Sequence, residues 1–408
     1  MKQERSFPAA AVTRKGETSL RSGHPWVYDA EVTSITGECV NGGLIDVFSE
    51  KGAYLGTGFL SEKSKIRIRL LSRNANESFG EDFFRRRVKY AIDYRKTVMG
   101  DDFDCCRLIF GEADGLPGLT VDKFGPLLST EVLSIGTERV KDVIYRAVWE
   151  ELEKNGTPVQ GIFERNESAI RTLEGLQTDK GWYEAPWLSH PDSAVTEICE
   201  NGVKYLVDVE NGQKTGFFLD QKYNRLAVRK LARGKKVLDC FTHTGSFALN
   251  AAMGGAEHVT AVDVSEAAVE MARANAARNG LEDKMDFIAA DVFELLPELC
   301  RKKADYDLVI LDPPAFTKSR KTVSSAQRGY KEINFRAMKL LPRGGYLATC
   351  SCSHFMTDEL FRKMLAEAAR DADVSLKLIE ARRQGPDHPI LMDVPETEYL
   401  KFYLFQIV

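Results

Sequence analysis

From about residue 196 the chain alternates short apolar runs with helical patterns. "KVLDCF", "VTAVDV", "MDFIAAD", "DLVILD" and "GYLATCS" read as strands. Helical stretches lie between them, from about 245, from 266, before "DLVILD", and near 326–341. Alternation of this kind dictates parallel strands with helices on both faces, so ligands belong at the strands' carboxyl ends. "VSLKLIEA" and "YLKFYLFQIV" are two more strand candidates and bring the count to seven. The helix from 266 is well bounded. Ser265 is placed to cap it, Glu266 complements its dipole, and Gly280 can end it.

The preceding residues have another texture. Residues 1–75 read as a small β-rich unit, with "GLIDVFS", "AYLGTGFL" and "KIRIRLL" as strands between turn residues. Residues 76–195 read as an α+β unit. It has a helix in "EDFFRRRVKYAIDYRKTV", a turn at "DGLPG", and a second helix over about 138–154. Residues 196–408 form the third domain, in keeping with a chain of 408 residues.

No stretch has the length of a transmembrane helix, and the N-terminus has no apolar run of signal-peptide type. The expectation is a cytoplasmic protein whose eight cysteines stay reduced. None forms a CxxC pair or a zinc-spaced cluster, so no metal is expected. The net charge of −4 argues against indiscriminate binding to nucleic acid but allows local basic patches. One is "SKIRIRLLSR", where Lys65, Arg67 and Arg69 alternate with Ile66, Ile68 and Leu70. At strand period this sets a basic face against an apolar one. The other is 318–331, with Lys318, Arg320 and Lys321 among five basic residues and no acid. Each also has an ordinary reading as a solvated surface.

The loop after the first of the alternating strands is "DCFTHTGSF": Asp239, then Phe241, Gly245 and Phe247. A dinucleotide site would use a glycine-rich loop, so that backbone amides approach a pyrophosphate. This loop has fewer glycines and opens with an acid. That suits a ligand with a positive centre and no phosphate, such as S-adenosylmethionine. Asp263 ends the second strand, where a ribose diol is gripped in doubly wound folds. Asp291 ends the third and is placed to accept from an adenine amino group. Each acid has an ordinary alternative as a helix cap or turn residue. The fourth strand ends in "LDPPAF". Asp312 precedes two prolines that stiffen the turn, and Phe316 is placed to face a base.

"VLDCFTHTGSFAL", "VTAVDVS", "LDPPAFTKS" and "GGYLATCSCSH" resemble the motifs of class I S-adenosylmethionine-dependent RNA methyltransferases. More narrowly, they resemble the bacterial 23S ribosomal RNA cytosine-5-methyltransferase I family. "LRSGHPWVYDAEV" and "SEKSKIRIRLLS" look like that family's N-terminal PUA domain, an RNA-binding β-barrel. "RLIFGEADGLPGLTVDKFG" looks like its middle domain, and "NGQKTGFFLDQKYNR" like the lead into its catalytic domain. The resemblance implies a PUA-like barrel, a central α+β domain and a C-terminal Rossmann-like seven-stranded methyltransferase domain. It implies that Asp239, Phe241, Gly245, Asp263, Asp291 and Asp312 line the cleft, with a role for Phe218 and Asp220. It also implies RNA, most naturally 23S rRNA or a large-subunit precursor, as partner, and a homodimer.

Carbon 5 of cytosine is a poor nucleophile. A thiolate added at carbon 6 turns the ring into an enamine whose carbon 5 accepts a methyl group. Aligning "GGYLATCSCS" with the family's "TCS" motif puts Cys352 at the nucleophile and leaves Cys350 as core or support. Asp312, if protonated, would polarise the base through N3. The sequence departs from other cytosine-5 RNA methyltransferases at Ala315, where they carry a second cysteine. Product release by a thiol at that position is therefore not available. Two rival readings stand beside this one. The DPPxF turn also resembles that of exocyclic-amine (guanine N2) methyltransferases, and a non-catalytic RNA-binding assembly factor would need no Cys352.

Overall fold

The computed structural model describes residues 6–317 and 319–408. They form two compact units. One runs to Ile198 and adds Val207–Leu219 and Pro386–Thr397. The other comprises Cys199–Leu206, Asp220–Gly385 and Glu398–Val408.

The alternation after residue 196 becomes one seven-stranded sheet in the second unit. Lys236–Cys240, His258–Asp263, Met285–Ala289, Leu308–Leu311 and Tyr346–Ser351 run parallel. Leu376–Arg382 and Lys401–Ile407 complete it, and the last strand is antiparallel to both its neighbours. The order across the sheet is third, second, first, fourth, fifth, seventh, sixth. It reverses between the first and fourth strands, where Cys240 pairs with Leu311. In open α/β sheets the ligand crevice lies at that reversal.

Period-two alternation decides which way the acids point. Leu238, Cys240, Val309 and Leu311 join one core with Tyr330 and Ile333 of helix Val323–Leu340 and Phe361 of helix Asp358–Asp371. Burying each large apolar side chain contributes roughly 1.5–3 kcal/mol. A one-residue slip of the first strand would turn Leu238 and Cys240 out of that core. The same packing therefore fixes Asp239 toward helix Ser246–Met253. The helix Glu266–Arg278 is bounded as expected. Ser265 Oγ accepts from Ala268 N at 3.3 Å, and Gly280 beyond the helix is left-handed at φ +63°.

The first unit carries two sheets. Six strands lie within residues 9–72, in the order Trp26–Tyr28, Ile66–Ser72, Tyr54–Leu60, Leu44–Ser49, Ala9–Val12, Val32–Thr36. Val12, Val27, Ile45, Val47 and Ile68 form their core. The second sheet has five strands between Cys105 and Trp182 and is accompanied by helices Glu81–Met99 and Lys141–Lys154. The expected boundary at 195/196 assigned 207–219 and 386–397 to the third domain, but both belong to the first unit. Polar contacts hold them. Thr215 Oγ1 donates to buried Asp122 at 2.5 Å, and Arg107 N donates to Asp387 at 2.9 Å. Arg95, fully buried, donates to Asp387 O at 3.0 Å. No helix among the described residues is long and apolar enough to cross a membrane.

Candidate active site

The loop after the first parallel strand is shaped by alternating left-handed residues. Phe241 has φ +66°, His243 +51° and Gly245 +82°. A non-glycine residue there costs roughly 1–3 kcal/mol and persists only where its surroundings impose it. Here Asp263 Oδ2 accepts from His243 N at 2.9 Å, and Val262 O accepts from Thr242 N at 2.8 Å. A β-carbon at Gly245 would lie 3.0 Å from Ala272 Cβ, so glycine also admits helix Glu266–Arg278. The amides of Thr242, His243 and Gly245 thus serve protein acceptors rather than a phosphate.

Asp239 is fully buried. Its Oδ2 accepts from Thr242 Oγ1 at 2.6 Å and Ala248 N at 2.9 Å, while Oδ1 has no partner. Burial pushes its carboxyl up to about 7, against those two hydrogen bonds and with help from Asp312 and Asp263. Asp263 also caps locally, with Oδ1 accepting from Ser265 N at 3.0 Å. Asp291 is exposed and caps helix Val292–Lys302, its Oδ1 accepting from Phe293 N at 2.8 Å.

Across the strand reversal, Asp312 Oδ1 accepts from Gln221 Nε2 at 2.9 Å. Gln221 is held in turn by Asn224 Nδ2 at 2.6 Å. The Cys350 thiol is fully buried, and burial, reinforced by the Asp312 charge, drives it well above the usual thiol range. Cys352, one residue past the strand Tyr346–Ser351, is only partly buried and lies with Sγ 4.0 Å from Pro313 O. Its neighbours brace it. Ser351 Oγ donates to Tyr330 Oη at 3.1 Å, and Ser353 Oγ donates to Thr317 O at 2.7 Å. The cysteine chosen from the sequence therefore stands beside the Asp-Pro-Pro turn, and Cys350 lies in the core.

The family profile described as S-adenosylmethionine-dependent methyltransferase matches residues 174–406, and a PUA-like domain profile matches residues 11–73. The ribosomal RNA large subunit methyltransferase I of Klebsiella pneumoniae (strain 342) is 39% identical over 404 residues, covering 98% of this chain and 99% of that protein. The protein of the same name from Escherichia coli (strain K12) is 39% identical over 400 residues, covering 97% and 99%. The chain belongs to the ribosomal RNA large subunit methyltransferase I family. Solved structures agree on the fold. A protein assigned as a SAM-dependent methyltransferase from Streptococcus mutans superposes with a TM-score of 0.81 at 22% identity, over 98% of this chain and 99% of that one. A related methyltransferase crystallised with SAH gives 0.82 at 22%, with the same coverage.

As a member of that family the protein uses S-adenosylmethionine, and its residues fit the cofactor. The partnerless oxygen of buried Asp239 is an acceptor that a bound ammonium would satisfy. A loop whose amides are already engaged suits a ligand without phosphate.

Other residues sit differently from expectation. Phe247 is buried and stacks on Phe402 at 6.4 Å, so it belongs to the core and not to the cofactor surface. Its place in the first turn of Ser246–Met253 turns it onto the sheet. Arg69 is 8% exposed and binds Glu174 at 2.9 Å, which removes it from any RNA-facing surface. Arg67 is tied to Asp29 at 2.5 Å, and of the basic strand face only Lys65 is exposed. Phe316 packs on Tyr330 at 4.5 Å and near Phe293 at 5.8 Å. It can do so because the nearby helix has Gly329, where a β-carbon would come within 3.3 Å of the ring. Arg320 and Lys321 are exposed and form no ion pair among the described residues, whereas Lys331 pairs with Asp371 at 2.8 Å. Lys318 lies outside the described residues. Phe218 belongs to the first unit, under the Lys214 ammonium at 4.5 Å. Asp220 is buried and accepts from Tyr399 Oη at 2.6 Å. Gln221 and Lys401 escaped the sequence reading. Gln221 stood one residue from a named position, and Lys401 had no signal beyond a charge opening an apolar strand.

Proposed function

We propose that this protein methylates carbon 5 of a cytosine in 23S ribosomal RNA through a covalent bond between Cys352 and carbon 6. The observation that carries the reading is the partly buried Cys352 sulfur, 4.0 Å from Pro313 O on the turn that follows Asp312. A nucleophile and a polarising carboxyl group would then act at the same turn. S-adenosylmethionine, when bound, supplies an electrophilic methyl group on a positively charged sulfur. Asp239, Phe241, Gly245, Asp263 and Asp291 hold it, and Asp220 supports the wall beside them.

Cys352 adds to carbon 6 as thiolate, and the ring becomes an enamine able to accept the methyl at carbon 5. Loss of the carbon-5 proton to a base then expels the thiolate and restores the aromatic ring. Asp312, oriented by Gln221, hydrogen-bonds the pyrimidine edge and assists attack at carbon 6. The target base must leave its stack to reach the sulfur. Arg320 and Lys321, just beyond the catalytic turn, take phosphates, with Lys65 as a second contact from the PUA-like domain. A division of the first unit at about residue 75, a cytoplasmic location and a homodimer complete the proposal.

Bisulfite sequencing of 23S rRNA from strains with and without this gene tests base, atom and position together. The reading expects one cytosine protected only when the gene is present. Identical protection patterns overturn it. Undiminished methylation by Cys352→Ala would direct attention to exocyclic-amine chemistry.

A further inference from the structure

Lys401 opens the last strand and is 3% exposed, an unusual place for an ammonium. It pairs across the strands with Ser351, the residue before Cys352. Its Nζ donates to Ser353 O at 2.7 Å, the carbonyl of the residue after Cys352, and to Tyr399 O at 2.7 Å. Two carbonyls leave one N–H and the whole positive charge to be answered. Among the described residues Lys401 makes no ion pair with a carboxylate.

The charged groups facing it are Cys352, Asp358, Arg383 and Glu398. Both acids are already engaged by one cation. Arg383 holds Glu398 at 2.5 Å and Asp358 at 3.2 Å, and Asp358 also accepts from Tyr403 Oη at 2.5 Å. Among the groups facing Cys352 are Tyr330 and Cys350, both kept protonated by burial. The sulfur is therefore the anion left for Lys401 to meet.

We propose that Lys401 is the counter-cation of the Cys352 thiolate, a positioning residue that acts through the sulfur. The inference rests on the covalent reading of Cys352 and deepens it. Ionisation breaks the S–H bond and hands its proton to water; no electron is transferred. The thiolate then has its pair free for carbon 6, and the neighbouring ammonium lowers the energy of that charge in a poorly solvated site. Burial also pulls Lys401 down to about 8, and Cys352 opposes this more strongly than the other facing groups. By reciprocity, whatever the thiolate does for the ammonium, the ammonium does for the thiolate.

The test is alkylation of the full chain by iodoacetamide between about pH 6 and 10, resolved peptide by peptide by mass spectrometry. Exposed Cys199 is the internal reference. In the wild-type protein the rate midpoint for Cys352 should lie below that of Cys199. Lys401→Met should raise the midpoint and slow Cys352 alkylation near neutrality by roughly tenfold, the equivalent of one pKa unit. Lys401→Arg should restore both. A wild-type midpoint no lower than that of Cys199 overturns the proposal without any variant. So does an unshifted midpoint in Lys401→Met with a native melting curve. Neither result touches the covalent reading. Conversely, full methylation by Cys352→Ala would end that reading and leave the alkylation result standing.

Discussion

The proposed role of Asp239 in holding the cofactor makes binding sensitive to pH. Its carboxyl is buried, has one partnerless oxygen and is pushed up to about 7. A ligand ammonium binds the ionised form. Affinity for S-adenosylmethionine should therefore rise as pH climbs through about 7 and weaken below it, by up to roughly tenfold per unit. Asp239→Asn should flatten the profile. The sign for folding is opposite. In the ligand-free protein the stability lent by this raised midpoint is full below the ordinary carboxylate range near ~4 and lost as pH rises through about 7. Calorimetric titration across pH measures the first effect, and a pH-independent affinity would contradict it. Gln221 is the other residue to test. Gln221→Ala removes one hydrogen bond from Asp312 Oδ1 and none from Asp239. Methyl transfer should fall on the order of 100-fold from misplacement, with cofactor affinity unchanged. Equal losses in both would show that Gln221 is only part of the scaffold.

Among the elements, helix Lys222–Leu231 carries the clearest stability prediction. Arg225 is fully buried and grips buried Glu200 with two bonds, at 2.7 and 2.8 Å. Glu200→Gln removes the carboxylate that grips a buried guanidinium and should cost about 3–5 kcal/mol in urea unfolding. A loss under about 1 kcal/mol would mean the pair is dispensable. The same elements show what could be read in advance. The strands, Ser265 and Gly280 were legible because periodicity and capping are local. Asp291 carried two local signals, a strand end and a helix start, and the described contact is the cap. Arg69 misled because alternation says which residues share a face, not what covers it. Glu174 covers it from a distant part of the chain. Gln221 and Lys401 act across long sequence separations through single hydrogen bonds, which no local pattern announces.

For the whole molecule, a net charge of −4 means RNA must be held by patches rather than by bulk attraction. Arg320→Ala with Lys321→Ala should weaken RNA binding and lower the slope of log affinity against log salt by roughly 1.4, the value for two contacts on a single strand. An unchanged slope would remove that patch from the RNA path.

The covalent claim is tested most directly with RNA carrying 5-fluorocytosine. Fluorine at carbon 5 cannot leave as a proton does, so the sulfur–carbon bond cannot be released once the methyl has been transferred. With S-adenosylmethionine present, the wild-type protein should form an adduct that survives denaturing electrophoresis, and the mass increment should map to Cys352. If no adduct forms, or if Cys352→Ala forms it equally well, the sulfur does not attack the ring.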